Sequence, residues 1–366
     1  MRIIFDLDGV ICKLKNPNEE YSEVRPNKPV INYLKELKKE GNYIIISTAR
    51  HMRSTNGNPS RAVAQIGKET LDWLSKWNVP YDEIQFGKPY GDIYIDDMNI
   101  IYSNINQLKE DIDLLKPIFV IPMAGKGQRF IDAGYNIPKY MIKVNGKELF
   151  DWALESLPLD IAKNIIFICL KEHEKKYKIS HFIKRIIQTK YPYLKNKYII
   201  LFIDKVTRGQ LETVLKAKEY INNKHHLVIY NIDTYFKSSR LRQKILSVRN
   251  QKIDGIFSVF YDKKKDPKWS FAKVDRNGFI TETREKVPIS HLASVGLYSF
   301  TEGQVFVKAA EEMIKKNIKS KGEFYIAPLY NILIKKNKKF IVDLVEEFLC
   351  FGTPQDIDFF NKNYNK

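Results

Sequence analysis

The segment Phe5-Asp6-Leu7-Asp8-Gly9 sets two carboxylates two residues apart at the end of a short apolar run. At the carboxyl end of a strand, such a pair faces the crevice where open α/β sheets bind ligands. One carboxylate could attack a phosphorus atom while the other protonates the leaving oxygen, and both could hold a hard cation. Gly9 lets the chain turn sharply beside them. Taken alone, D-x-D-G also fits a plain acidic turn or a calcium loop lacking its later ligands. Three more groups follow, each behind its own apolar run: the hydroxyls of Ser47-Thr48, the lysine of Phe86-Gly87-Lys88-Pro89, and the carboxylates of Asp96-Asp97. A second constellation begins at Met123-Ala124-Gly125-Lys126-Gly127-Gln128-Arg129. Its glycines let backbone amides approach a phosphate, and Arg129 could clamp it. It is not a Walker A loop, since G-x-x-x-x-G-K-[ST] is absent, and Phe130 stands where a dinucleotide fingerprint needs its third glycine.

These groups need elements to position them. Arg2–Phe5 reads as a strand, and Pro29–Glu40 has helical spacing of Val30, Ile31, Tyr33, Leu34 and Leu37, closed by Gly41. Tyr43–Ile46 is a buried-type strand, Ala62–Trp77 an amphipathic helix, and Glu83–Phe86 and Ile93–Ile95 further strands. This β-α-β-α-β order predicts a parallel sheet covered by helices. Ile105–Leu115 is a helical stretch stopped by Pro117. Ile118–Pro122 then restarts the strand-and-turn pattern, which places a domain boundary near Lys116: residues 1–116 and 117–366. The second part alternates again, with strands near Ile165–Leu170, Tyr198–Ile203, Leu227–Tyr230, Gly255–Tyr261 and Ser294–Phe300. The fold class expected is α/β in two domains.

Composition bounds the rest. The net charge is +18, so nucleic acid has to be considered. The cations are mostly lysines, scattered along the chain, and arginine is the usual residue for bidentate phosphate and base recognition. The lysine runs at Lys263–Lys265 and Lys335–Lys339 read as solvated faces, His225-His226 as surface residues. Cys12, Cys169 and Cys350 form no C-x-x-C pair, which speaks against zinc and disulfides. No apolar run reaches the ~18 residues of a membrane span, and Met1–Phe5 has no leader pattern. A cytoplasmic protein with anionic small substrates is expected, without specific nucleic acid or membrane partners; a homo-oligomer is left open.

The four ordered groups of the first 100 or so residues resemble the haloacid dehalogenase superfamily of phosphatases, and the stretch His51–Arg61 with Trp73-Leu74 and YDEIQFGKP looks like the small phosphatases of capsule biosynthesis. The resemblance implies a Rossmann-like parallel sheet without a large cap. It makes Asp6 the nucleophile that forms an aspartyl-phosphate, and Asp8 the general acid and then base. Thr48 would hydrogen-bond the phosphoryl group and Lys88 balance its charge. Asp96, helped by Asp97, would complete a Mg2+ site with Asp6 and the Asp8 carbonyl. Arg50 and Arg53 stand as substrate contacts or solvated loop charges, the latter preferred for Arg53.

From Ile118 to about Asp356 the sequence resembles the sugar-1-phosphate nucleotidyltransferases. The resemblance is carried by the glycine-rich turn, Gly134-Tyr135-Asn136-Ile137-Pro138-Lys139, Val144-Asn145-Gly146-Lys147, Gly209-Gln210-Leu211-Glu212-Thr213-Val214, Asn231-Ile232-Asp233, Glu285-Lys286, Ala293-Ser294-Val295-Gly296 and Gly352-Thr353-Pro354. It implies a Rossmann-like mixed sheet in which Gly125, Gly127 and Arg129, with Lys126 beside them, hold a nucleoside triphosphate. Lys139 would offset charge on the attacking phosphate and the α-phosphate, Gly209 and Gln210 lie near the base, and Asp233 ligates Mg2+. Glu285 and Gly296 would line the acceptor pocket. One departure is visible: the late aspartate that shares the metal in many members is missing from Gly322-Glu323-Phe324, so either Glu323 substitutes or Asp233 and the triphosphate suffice.

The two resemblances together predict a bifunctional enzyme of activated-sugar or polyol synthesis for capsule or surface polysaccharide. It would use CTP or UTP, a phosphorylated sugar or polyol, and Mg2+ in both domains. The competing readings are a nucleic-acid end-processing phosphatase and nucleotidyltransferase, whose binding would weaken steeply with salt, and a nucleotidyltransferase with a non-catalytic phosphatase-like scaffold.

Overall fold

The structure, a computed structural model, describes residues 2–39, 43–90 and 113–364, and the chain divides into two units, Met1–Ile101 and Tyr102–Lys366. The expected strand Ile93–Ile95 and the residues Asp96 and Asp97 lie outside the described residues, as does most of Ile105–Leu115.

In the first unit three strands, Arg2–Asp6, Tyr43–Thr48 and Glu83–Phe86, form a parallel sheet in that order. Asp6 pairs in register with Ser47, and Thr48 with Phe86, so the residues expected to do chemistry stand at one sheet edge. The helix Lys28–Lys39 buries Ile31, Leu34 and Leu37, a three-residue repeat that makes one stripe. The helix Pro59–Lys76 starts with Asn58 accepting the Arg61 N–H at 3.0 Å and proline in its first turn. It buries Trp73 and Leu74 against Ile44, Ile46 and Leu7.

The second unit is built on a nine-stranded mixed sheet. At its centre Ile118–Pro122 lies parallel between Leu227–Tyr230 and Asn164–Leu170, and Tyr198–Ile203 extends that side. Asn164–Leu170 is apolar from Ile165 onward because the strand is buried on both of its faces. The other side turns antiparallel at Leu292–Phe300, which pairs with Leu227–Tyr230, Gly255–Tyr261 and Ser270–Val274; Ile280–Glu285 is the edge. Phe340–Leu344 adds to Gly255–Tyr261 in parallel. Thr234–Lys237 and Glu347–Cys350 form a separate antiparallel pair, the first of them starting four residues after Tyr230. Each fully buried side chain, such as Phe119, Ile121 and Phe167, contributes about 1.5–3 kcal/mol of transfer free energy.

Asp113 pairs with Lys163, and the His225 ring nitrogen comes within 3.5 Å of it, so residues just before the expected boundary at 116/117 pack with the second unit. His225 and His226, expected at the surface, are buried instead: they lead directly into the central strand Leu227–Tyr230, and burial holds His226 neutral, its pKa lowered to about 3. Among the described residues no helix is long and apolar enough to cross a membrane.

Gly209 is fixed by close approach. Its φ is +144°, and a Cβ there would sit 2.5 Å from both N and O of Phe324, whose peptide bonds clamp the loop: Phe324 N–H donates to Arg208 O and Leu211 N–H to Phe324 O, each at 3.0 Å. Gly209→Ala is therefore expected to open this clamp at a cost of about 1–3 kcal/mol. A melting temperature within experimental error of the wild type would show that the clamp does not constrain the loop.

Candidate active site

In the second unit the strand Ile118–Pro122 runs into a turn fixed by Met123 N–H donating to Ile168 O at 2.9 Å. Gly127, at φ +68°, opens the short helix Gln128–Asp132, and no atom lies within 4 Å of where a Gly125 Cβ would be. The turn thus leaves its backbone open to a bulky anion. Arg129 projects from it into a cavity of about 230 Å³. Gln210, Asp233, Glu285 and Gly296 line the same cavity.

Asp233 follows the central strand Leu227–Tyr230, and its carbonyl is fixed by the Phe351 N–H at 2.8 Å. Its carboxylate receives the Lys139 ammonium at 2.6 Å, with both side chains about one-fifth exposed. Lys139 therefore reaches the cavity through Asp233. Gly296, at φ +87°, lets Asn231 approach: a Cβ would meet the Asn231 amide nitrogen at 2.7 Å. Asn231 in turn receives the Gln210 amide. Glu285 is buried and accepts the Ser270 hydroxyl; burial pushes its carboxyl above the ordinary range, the Ser270 hydrogen bond opposing. Its neighbour Lys286, at φ +57°, donates to the Tyr325 hydroxyl at 2.6 Å.

The expected set is thus partly gathered. Arg129, Gln210, Asp233, Glu285 and Gly296 share the cavity. Gly125, Gly127 and Gly209 do not line it, and Lys126 is exposed on its turn. Glu323 is exposed and also does not line the cavity, whereas Cys350 and Asp356 do. A Cβ on Gly352 would lie 3.8 Å from a carboxylate oxygen of each of Asp233 and Asp356, which brings Asp356 near Asp233. Asp356 accepts the Thr353 N–H and hydroxyl at 2.9 and 2.7 Å. Sequence reading missed Asp356, although it lies two residues after the quoted Gly352-Thr353-Pro354, and it missed Lys268, Trp269 and Tyr325, which carry no motif.

In the first unit Asp6 ends its strand with its carboxylate held at both oxygens: Leu7 N–H donates at 2.9 Å and the Lys88 ammonium at 3.0 Å. Lys88 is placed by its own N–H donating to Thr48 O at 3.2 Å. Thr48 is fully buried, and its hydroxyl oxygen accepts the Arg50 N–H at 3.2 Å. Arg50 is neither a solvated charge nor free for a substrate. It is 3% exposed, and its guanidinium forks onto Asp8, Nε at 3.0 and 3.1 Å and a terminal nitrogen at 2.9 Å. It also stacks 4.3 Å from the Tyr21 ring centroid. Arg53 lies 5.6 Å from the Tyr90 ring centroid. The Cys12 thiol beside Asp8 is pushed up to about 12, mainly by burial and then by the Asp8 charge, so it is no nucleophile at neutral pH.

A glycine-rich turn, two cations and a carboxylate at the carboxyl end of a mixed sheet define the second unit as a phosphate-handling α/β domain. The family described as Nucleotidyl transferase matches residues 119–339, more than half of the chain, and the chain belongs to that family. It is 27% identical over 242 residues to the bifunctional protein GlmU of Methanocaldococcus jannaschii, an alignment covering 65% of this chain and 52% of that protein; the chain thus spans about half the length of this curated relative. The nucleoside-diphosphate-sugar pyrophosphorylase of Vibrio cholerae RC9 superposes with a TM-score of 0.56 at 30% identity, over 67% of this chain and 100% of its own. An apo UDP-glucose pyrophosphorylase shares the fold, with a TM-score of 0.55 at 18% identity over 68% of this chain and 98% of its own.

Proposed function

We propose that the second unit transfers a nucleotidyl group from a nucleoside triphosphate, CTP or UTP, to a phosphorylated sugar or polyol and releases pyrophosphate. The observation that carries this reading is the single cavity lined by Arg129, Gln210 and Asp233 on one hand and by Glu285 and Gly296 on the other. The family membership and the pyrophosphorylase relatives support it.

An oxygen of the acceptor's phosphate forms a bond to the α-phosphorus while the bond to the bridging oxygen breaks, and pyrophosphate leaves with that electron pair. The acceptor is already ionised at neutral pH, so no protein nucleophile or base is required. The protein's part is alignment and charge stabilisation. Arg129 and the open backbone of its turn hold the triphosphate, Lys139 meets charge developing around the α-phosphate, and Gln210, fixed by Asn231, faces the base. Glu285, with its raised affinity for a proton, and Gly296 contact the acceptor.

Magnesium fits the second unit: Asp233 offers a hard carboxylate oxygen inside the cavity, and magnesium commonly takes one or two carboxylates with substrate phosphates filling its shell. When bound it would neutralise phosphate charge. Among the described residues no cluster of three or more His, Cys, Asp or Glu forms a site by itself.

The first unit is proposed to hydrolyse a phosphomonoester, with Asp6 as nucleophile, Lys88 and Thr48 on the phosphoryl oxygens, and Asp8 as acid and base. Asp6 fits a hard cation there, and Asp96 and Asp97 are assigned to the same site. The two activities together would serve activated-sugar or polyol synthesis for surface polysaccharide, the phosphatase acting on a precursor or on another intermediate.

The test is a matrix of the four common nucleoside triphosphates against phosphorylated sugars and polyols with Mg2+, scored for pyrophosphate. Release is expected for a pyrimidine triphosphate with at least one acceptor. Silence across the whole matrix would remove the reading.

A further inference from the structure

A second cavity adjoins the first within the larger unit. Its volume is about 390 Å³ against 230 Å³, and the two share Lys268, Trp269, Cys350 and Asp356. Neither Arg129, Gln210 nor Asp233 lines it. Glu285 and Gly296, assigned to the acceptor, do not line it either, and the second cavity opens from the wall formed by Lys268, Trp269, Cys350 and Asp356.

Its wall is aromatic. Phe260 and Phe348 stack with centroids 4.2 Å apart, and Trp269 stands edge-on to them at 5.5 and 5.4 Å. Phe359, 66% exposed, stands in its lining. Much of its polar lining comes from the loop after Tyr261, whose lysines Lys263–Lys265 are exposed as expected. The Asp262 carboxylate accepts the N–H of Lys264 at 3.0 Å and of Asp266 at 2.7 Å, and so pins the loop against the cavity. Lys264 and Lys268 both line it. The Lys268 ammonium is 3.7 Å from Asp266 and 3.9 Å from Asp356, beyond ordinary hydrogen-bond length, and 4.6 Å from the Trp269 ring centroid. Its donors are held at the junction of the two cavities without being consumed there.

Aromatic faces beside carboxylates and ammonium groups suit a polyhydroxylated ligand. Its C–H faces lie against the negative faces of the rings, while its hydroxyls donate to carboxylates and accept from lysine. The first cavity alone is smaller than the ~300–1,000 Å³ of ordinary small-molecule sites, so an acceptor that continues into the second gains contact area. We infer that the second cavity is an acceptor subsite for a polyhydroxylated unit beyond the carbon that bears the reacting phosphate, either a second sugar ring or the rest of a linear alditol. Lys268 and Trp269 stand at the junction. Naming the ligand as the acceptor rests on the nucleotidyl-transfer reading.

The test uses the full chain with Mg2+, the active nucleoside triphosphate, and three acceptors: glucose 1-phosphate, maltose 1-phosphate for a second ring, and ribitol 5-phosphate for a linear chain. Lys264→Trp narrows the second cavity from an exposed position that does not line the first. The variant should lower kcat/KM for an extended acceptor, relative to glucose 1-phosphate, by about tenfold or more. A fall confined to maltose 1-phosphate identifies a second ring, and one confined to ribitol 5-phosphate a linear chain. A ratio within about twofold of wild type for both overturns the inference. Calorimetric titration of the two extended phosphates without nucleotide keeps the question separate from catalysis. Weaker binding to the variant supports the subsite even where no acceptor releases pyrophosphate, an outcome that would sink the transfer reading alone. Equal binding to both proteins, or none to the wild type, overturns the subsite.

Discussion

Asp233→Ala is expected to reduce magnesium-dependent pyrophosphate release by about a thousandfold or more, roughly 4 kcal/mol of transition-state stabilisation. The residue follows the strand Leu227–Tyr230, its main chain is fixed by Phe351, and its carboxylate is the cavity's partner for Lys139 at 2.6 Å. Truncation removes a hard anionic ligand and leaves Lys139 unpaired among the phosphates. The triphosphate can then be held by Lys139 and Arg129 in a geometry that no cation organises. The loss should therefore fall mainly on kcat, with KM for the nucleotide changing far less, because an interaction made chiefly in the transition state is removed. A continuous pyrophosphate assay across a magnesium titration measures both. Release within about tenfold of wild type, with the same magnesium dependence, would move the metal assignment to another residue, Asp356 being a further carboxylate in the cavity.

How much of this was legible in the sequence depended on burial. Asn164–Leu170, from Ile165 onward, and Leu227–Tyr230 are apolar because both faces of a central strand are covered, so the run alone marks them. Ile280–Glu285 is an edge strand, with Ile280, Thr283 and Glu285 turned inward among polar neighbours, and Thr234–Lys237 and Glu347–Cys350 are four residues each. Neither kind carries a period long enough to read. Side chains on strand ends followed the same rule. Asp6, Thr48 and Asp233 stand at the ends of apolar runs and were found there. Lys268 and Trp269 sit on a loop held by Asp262, and nothing in a lysine-rich loop tells which ammonium faces a cavity. Glu323, one of the two alternatives for completing the metal site, is exposed and does not line the cavity, whereas Asp356, which carried no motif, does. Arg50 shows the limit most directly. Its charge suggests solvent or substrate, but Asp8, Tyr21 and Thr70 surround it at 3% exposure, a pairing visible only once the ends of two strands are brought together.

Asp6→Asn is the corresponding test of the first unit and is expected to lower phosphomonoester hydrolysis by about a thousandfold or more. The substitution keeps the shape of the side chain. Its amide oxygen can still accept the Leu7 N–H, so the strand end should hold, and melting should report little change. What is lost is the nucleophile and the anion that Lys88 faces at 3.0 Å. An amide oxygen cannot form and release an acyl-phosphate as a carboxylate does. Asp8 cannot take over the attack, because three hydrogen bonds from the buried Arg50 fix its carboxylate, and breaking a buried pair of that kind costs about 3–5 kcal/mol. That same fork gives Asp8 a fixed direction, which a group that delivers a proton to a leaving oxygen requires. Hydrolysis of a small aryl phosphate by the variant at more than about a tenth of the wild-type rate would rule out Asp6 as nucleophile. A wild-type protein silent toward every phosphomonoester offered, while the second unit turns over, would instead make the first unit a scaffold that keeps the residues of a phosphatase without its chemistry.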